Sequence, residues 1–186
     1  MNDSNRWKTL WLIATLLGMR AAIAADAGLS PAECQVWERE RSFAHSAMTH
    51  DKAAFAGHVH EGAVFGAASP NTQSGRDAIL KAWNPIIEGK GISLEWRPQF
   101  VSIGADTNVA MSRGPFAIKS WDDKGNTKYA IGSFVSVWVR KDDASPWLVV
   151  LDGGGPPPTP ATEEEARKHL DSAPKECPRA AKQAAG

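Results

Sequence analysis

Residues 91–100 read GISLEWRPQF, and at this stretch the hydrophobic pattern of the chain changes. Upstream of it, apolar residues recur every three or four positions, which is typical of amphipathic helices. From this point onward, apolar and polar residues alternate, which is typical of half-buried strands. The alternation predicts strands over 92–100, 109–113, 129–140 and 147–152.

Short connections join these strands, so the sheet is predicted to be antiparallel. One connection, 122–126 (DDKGN), has the composition of a hairpin turn. Three helices are predicted before the sheet, over about 30–50, 51–57 and 76–88. The first has a strong start signal, because Ser30 can cap it, Pro31 suits the first helical position and Glu33 completes a capping box. The fold class is therefore α+β, with three N-terminal helices packed on a strongly curved antiparallel sheet.

The first 25 residues have the three parts of a secretory signal peptide. A basic start precedes the apolar run 10–18, and the small-residue stretch 21–25 supplies an Ala-x-Ala cleavage site. The apolar run is about half of the ~20 residues that a spanning helix needs, so no stable membrane span is expected. We predict cleavage after Ala24 or Ala25 and a periplasmic or secreted location.

The rest of the chain is predicted to be one domain, 30–158, followed by a tail, 159–186, that is rich in Pro, Ala and Lys. A short helix is predicted within the tail over 162–170. Cys34 and Cys177 are the two cysteines. In an oxidising compartment an isolated pair favours a disulfide, here one that ties the tail to the first helix, while two free thiols are the alternative.

The composition excludes several classes of protein. Of the 186 residues, 42% are hydrophobic and 23% are charged, which is typical of a soluble globular domain. Lys+Arg and Asp+Glu number 21 each, so no net charge would recruit nucleic acid or an anionic membrane. Neither a nucleophile-elbow motif nor a phosphate-binding P-loop is present.

Several short strings occur in an order typical of one group of proteins. They are 55–58 (FAGH), 63–65 (AVF), 74–79 (SGRDAI) with Trp83, 94–98 (LEWRP), 112–115 (SRGP), 134–138 (FVSVW) and 147–154 (WLVVLDGG). In this order they resemble a DUF4440 or SnoaL-like domain of the nuclear transport factor 2-like (NTF2-like), ketosteroid isomerase-like superfamily. The resemblance implies a cone in which helices and a bent sheet enclose one pocket, and commonly a homodimer through the sheet. It does not imply one activity, because the fold hosts isomerases, cyclases, hydratases and binding modules.

Asp152 is the first candidate for chemistry. It ends the last predicted strand, on the same face as Leu148 and Val150 and directly before three glycines. Burial on an apolar face would raise its pKa and suit it to acid–base catalysis, whereas capping of the glycine turn is the alternative. Arg113 shares a strand face with Met111, so we expect its guanidinium to enter the pocket and orient a substrate, with a surface ion pair as the alternative.

His58 is a candidate for a secondary acid or base. Together with His60 and Glu61 it could bind zinc if the segment is extended, but the segment falls at a helix end, and we expect no metal. The alternative is that His58 is solvated or caps a helix.

Trp83, Trp96 and Met111 are the candidate ligand-binding residues, with a core role as the alternative for the two tryptophans. The ketosteroid isomerase mechanism needs a tyrosine in the first helix, which has none here. Two function classes therefore stay open, and both need no cofactor. The first is an exported domain whose apolar pocket binds a small molecule. The alternative is an isomerase, dehydratase or cyclase. A structure in which Asp152 and His58 face one enclosed cavity would favour this alternative.

Overall fold

The computed structural model describes residues 28–67, 69–104, 108–153 and 155–179, which form four helices and an eight-stranded sheet. The predicted signal peptide lies outside these ranges. No helix within them is long and apolar enough to cross a membrane. The elements are α1 (Pro31–Met48), α2 (Lys52–Ala56), β1 (Val59–Ala67), β2 (Gln73–Ser74), α3 (Arg76–Ile87), β3 (Ile92–Trp96), β4 (Phe100–Ile103), β5 (Val109–Trp121), β6 (Thr127–Val139), β7 (Leu148–Gly153), β8 (Thr159–Ala161) and α4 (Glu163–Leu170).

The first helix begins where its capping signal predicted it, and two other helices also begin with a side-chain cap. The backbone N–H of Glu33 donates to Ser30 Oγ (3.3 Å), and the N–H of Ser30 donates back to the Glu33 carboxylate (2.9 Å), so the capping box at the start of α1 is complete. Asp51 caps α2, and Thr162 caps α4 with a second capping box. These starts depend on side chains within three residues, so local sequence is sufficient to predict them.

The sheet is mixed and open, and the expectation of a purely antiparallel sheet is wrong. Its order is β2-β1-β7-β6-β5-β3, with β4 also paired to β5 and β8 to β6. β1 and β7 run parallel, with Phe65 opposite Asp152. β1 and β2 also fall between α2 and α3, where no strand was predicted. After its first residue, β1 contains His60, Glu61 and Gly62, which interrupt the alternation that identifies the later strands.

β5 organises one half of the sheet because it pairs with β4 along its first half and with β3 along its second half. Between these pairings the chain turns at Pro98, which is fully buried. The turn crosses Gly114 so closely that a Cβ at this position would overlap the carbonyl oxygen of Arg97. Glycine is therefore required at the crossing.

The helices cover both faces of the sheet. Glu40 on α1 contacts Ser112, whereas Ala166 and Leu170 on α4 pack against Ala117. Residues 112 and 117 differ in parity along a strand without a register shift, so α1 and α4 lie on opposite faces. The α1 side, called the inner face below, holds the main core.

The described part of the predicted tail packs against the rest of the domain. β8 pairs with β6, and His169 on α4 bonds through Nε2 to the carbonyl oxygen of Gly132 (2.7 Å). Cys177 forms a disulfide with Cys34 in the first turns of α1. The disulfide predicted from the cysteine count is present.

Candidate functional site

A half-open cavity of about 660 Å³ lies on the inner face, a size that suits a small-molecule ligand. Its mouth is formed by the described residues of two loops, 66–71 and 153–158. Asp152 is the one titratable residue among the described residues that line it. The walls are mainly apolar and aromatic, and they include Phe43, Trp83, Leu94, Trp96, Phe116 and Phe134.

Asp152 reaches the cavity from β7, at the point where β7 lies between β1 and β6. The hydroxyl of Ser136, its cross-strand partner on β6, donates to Asp152 Oδ2 (2.9 Å). Burial, and secondly the charge of the nearby Glu40 carboxyl, raise the pKa of Asp152 to about 7, while the Ser136 hydrogen bond opposes the shift. A carboxyl group with a pKa near neutrality can donate or accept a proton under physiological conditions.

Glu40 is the residue of this region that sequence analysis missed. Its side chain is fully buried on α1. Trp96 Nε1 donates to Oε1 (2.6 Å), Trp138 Nε1 donates to Oε2 (3.0 Å), and the Ser112 hydroxyl also donates to Oε2. Burial raises the pKa of Glu40, and these hydrogen bonds oppose the rise.

A signal for Glu40 was present in the sequence. It lies three residues after Trp37 and three before Phe43, and both of these are fully buried on α1. A carboxylate in the middle of a helical apolar stripe must be buried with the stripe, and a buried charge needs hydrogen-bond donors. The pattern that predicts a helix over about 30–50 counts apolar residues only, so it does not include this acidic residue.

His58, the candidate secondary acid or base, is not among the described residues that line the cavity. The side chain is buried between α1 and α2, where Nδ1 bonds to the carbonyl oxygen of Ala54 (2.6 Å) and Nε2 to Ser42 Oγ (3.0 Å). Burial, and secondly the charge of Arg39, lower the pKa of His58 to about 4, while the hydrogen bond to Ala54 opposes the shift. A neutral imidazole with both nitrogens bonded has a structural role here.

His58, His60 and Glu61, which could bind zinc only in an extended segment, are not arranged as a metal site. His60 Nδ1 accepts a hydrogen bond from the backbone N–H of Gly62 (3.1 Å), while His58 is held at the α2 end. Within the described ranges, no group of three His, Cys, Asp or Glu side chains could hold a metal ion.

Arg113 and Met111 lie on the outer face of the sheet, so the expectation that they enter the pocket is corrected. Both are exposed, and the Arg113 guanidinium stacks over the Phe100 ring at 4.3 Å. Ser112, between them, points inward to Glu40. The alternating pattern correctly placed Arg113 and Met111 on one face, but it cannot indicate which face meets the helices.

Trp83 and Trp96 are both in the cavity wall, with ring centroids 6.4 Å apart. Trp83 also packs against Phe55 and Phe65, so it belongs to the core as well. Trp96 lines the cavity while its indole N–H donates to Glu40. This tryptophan therefore joins the cavity wall to the buried carboxylate.

Two glycines shape the loop at the cavity mouth. Gly153 has a φ of 131°, a conformation that favours glycine. A Cβ on Gly155 would overlap the carbonyl oxygen of Ser133, so the loop approaches β6 without a side chain between them. The prolines 156–158 follow directly and line the cavity.

Among solved structures, the chain is similar to an NTF2-like superfamily protein from Salmonella enterica serovar Typhimurium, with 17% identity, a TM-score of 0.53, and coverage of 71% of this chain and 96% of that chain. A ketosteroid isomerase-like protein from Erwinia carotovora atroseptica has 13% identity and a TM-score of 0.52, with coverage of 65% and 93%. The protein Aln2 from a Streptomyces species has 15% identity and a TM-score of 0.52, with coverage of 67% and 90%. No protein-family model and no curated protein matches the sequence. These identities show the fold alone, and the fold is NTF2-like.

Proposed function

We propose that this chain, a domain of NTF2-like fold, binds a small, mainly apolar molecule in the cavity beside Asp152. The observation that carries the proposal is the cavity of about 660 Å³ with aromatic walls and a single titratable group among its described lining residues. Aromatic side chains offer large apolar contact area, and one polar group can fix the orientation of a ligand.

Catalysis is the second candidate function, and one observation favours it. Asp152 lines the cavity and has a pKa of about 7, which suits a proton carrier in a cofactor-free isomerase, dehydratase or cyclase. Most such reactions need a second acid or base near the substrate. His58 lies outside the cavity, and binding therefore remains the first proposal.

The binding proposal is tested with the neutral apolar probe N-phenyl-1-naphthylamine, whose fluorescence rises in an apolar site. Leu94→Trp fills part of the cavity and should weaken probe binding at least about tenfold, on the scale of a lost apolar contact area. Arg113→Ala alters only the outer face and should bind like the wild type. Equal probe binding by the wild type and a folded Leu94→Trp variant would contradict the proposal.

The natural ligand is sought separately, by native mass spectrometry of protein purified without denaturant. A retained molecule identifies the ligand class. If the wild type converts that molecule on incubation and the Asp152→Asn variant does not, the catalytic alternative is supported. Retention without conversion would support binding alone.

Export is part of the proposed function. The Cys34–Cys177 disulfide is typical of an oxidising compartment and supports a periplasmic or secreted location. N-terminal sequencing of protein from the cell envelope should give a start at residue 25 or 26. Intact protein beginning at Met1 in the cytosol would contradict export.

A homodimer through the sheet is proposed as well. Phe100, Val109 and Met111 are large, exposed apolar residues on the part of the outer face that α4 leaves uncovered. A second copy would bury them. Light scattering should give twice the monomer mass for the wild type and the monomer mass for Met111→Lys; a monomeric wild type overturns this proposal.

A further inference from the structure

Two carboxyl groups on different elements are in contact with a pair of buried serines. Ser112 on β5 and Ser136 on β6 are cross-strand partners, and both are fully buried. The Ser112 hydroxyl donates to Glu40, and the Ser136 hydroxyl donates to Asp152 (2.9 Å). Ser136 also interacts with the Glu40 carboxyl. A continuous set of hydrogen-bonding side chains therefore runs from α1 to the cavity wall.

The Glu40 carboxyl group accepts more hydrogen bonds than the Asp152 carboxyl group. Both oxygens of Glu40 accept from indole N–H groups, one from Trp96 and one from Trp138, and an indole nitrogen can only donate. With the Ser112 hydroxyl, Glu40 receives three donors, whereas Asp152 receives one. Donors stabilise the ionised form of a carboxyl group, so the negative charge is favoured on Glu40.

No cation neutralises either carboxyl group in the described part of the chain, where no ion pair includes Glu40 or Asp152. A buried carboxyl group and a half-buried one close to it cannot both ionise easily without a cation, and the pair binds a proton as one unit. Several charged or titratable groups on the surrounding elements have partners elsewhere. Arg39 on α1 donates to the carbonyl oxygens of Trp147 and Gly57, and His58 bonds to Ala54 and Ser42. Glu95 at the end of β3 pairs with Arg97, and Arg113 on β5 stacks on Phe100.

We propose that Glu40 and Asp152 form one proton-binding unit bridged by Ser136, in which ionised Glu40 is a positioning residue that keeps the shared proton on Asp152 at the cavity wall. The inference rests on the proposed function, because a proton on Asp152 matters only if a ligand enters the cavity. Asp152 then meets that ligand as an acid and hydrogen-bond donor, and becomes a base only when the pair has lost its proton.

Carbon-13 NMR of the side-chain carboxyl groups tests the proposal on ligand-free protein. As the pH rises from about 3 to about 8, the Glu40 carbon should reach its ionised chemical shift first, while Asp152 is still protonated. The reverse order of titration in the wild type overturns the proposal. This first measurement needs no variant, so it is decisive even if substitutions at Glu40 prevent folding.

Substitution of Glu40 then tests its action on Asp152. In Glu40→Gln the negative charge beside Asp152 is lost, and the pKa of Asp152 should fall by at least about one unit. Glu40→Asp keeps the charge and should retain most of the elevation. Glu95→Gln on β3, the same chemical change at a carboxyl group paired with Arg97, serves as the control and should leave the pKa of Asp152 unchanged. An unchanged or higher pKa of Asp152 in folded Glu40→Gln contradicts the positioning role.

The two proposals fail in different ways. If the carboxyl groups titrate as expected but N-phenyl-1-naphthylamine does not bind, the proposed function is wrong and the proton-binding unit stands. If the probe binds but Glu40 titrates after Asp152, the cavity function stands and the proton-binding unit is wrong.

Discussion

Cys34 in the first turns of α1 is bonded to Cys177, which lies 143 residues later in the chain. Next to this bond, Leu29 and Arg179 form an isolated parallel bridge. Because α4 precedes Cys177, the disulfide also restrains the segment that carries α4 across the outer face. The two ends of the described chain are thus fixed to each other.

Replacement of both cysteines by serine should lower the stability of the protein. Closure of a loop of this length is worth up to about 4–5 kcal/mol in the chain-entropy model, because the bond restricts the unfolded chain. Differential scanning calorimetry should show a lower Tm for the double variant and for the wild type in dithiothreitol. An unchanged Tm in both would mean that the bond adds nothing to stability.

Asp152→Asn should change how stability depends on pH. The pKa of Asp152 is about 7 in the folded protein and about 3.9 when unfolded. Its stabilising contribution to the free energy of unfolding is therefore complete below about pH 4 and is lost as the pH rises to about 7. Relative to the wild type, the free energy of unfolding of Asp152→Asn should therefore increase by about 1.4 kcal/mol per pH unit across this range. Urea unfolding at several pH values measures it.

The matched control for this experiment is Asp123→Asn in the exposed hairpin turn, which should leave the pH dependence as in the wild type. A constant difference between Asp152→Asn and the wild type at all pH values would mean that Asp152 is ionised in the folded protein. Its role would then be that of a turn cap.

His58 should act in the opposite direction. The pKa of His58 is about 4 in the folded protein and about 6.5 when unfolded. Its stabilising contribution to the free energy of unfolding is therefore present above about pH 6.5 and is lost as the pH falls to about 4. In the wild type this slope offsets that of Asp152 between about pH 4 and 6.5. His58→Gln should remove the acid-side loss, whereas exposed His45→Gln should not; equal unfolding curves for both variants would contradict burial of a neutral His58.

Gly114→Ala should destabilise the crossing of β5 and the β3–β4 turn. The added methyl group would meet the carbonyl oxygen of Arg97, which is backbone and cannot move without breaking the flanking pairings. Overpacking of this kind costs about 1–3 kcal/mol or more. Gly62→Ala is the control, because the nearest atom to its Cβ is 3.6 Å away in a His60 side chain. Similar urea midpoints for both variants would show that the crossing can relax.

Capping and turn chemistry are the features that the sequence determined by itself. Ser30 with Glu33 and Thr162 with Glu165 fix helix starts, and Asp122 accepts hydrogen bonds from the N–H groups of Lys124 and Asn126 at the predicted hairpin. Each interaction joins residues at most four positions apart. Local sequence contains both partners, so no knowledge of the remaining fold is needed.

Asp152, Trp83 and Trp96 were candidates from the sequence, and all three line the cavity; a role in ligand binding or catalysis stays a prediction. Arg113 and Met111 were assigned to the wrong face, since alternation relates neighbours within one strand and contains no information on which side a helix will cover. The parallel pairing of β1 with β7 joins segments about 90 residues apart, and no local pattern in β1 indicates it.

Glu40 depends most completely on tertiary structure. Its three donors come from β3, β5 and β6, and they meet α1 only when the helix packs on the assembled sheet. The sequence determined that Glu40 would lie on the apolar side of α1, because helical periodicity fixes this. Only the tertiary structure decided that indole and hydroxyl groups would surround the carboxylate and that Asp152 would lie close enough to respond to its charge, since both depend on contacts between residues distant in the chain.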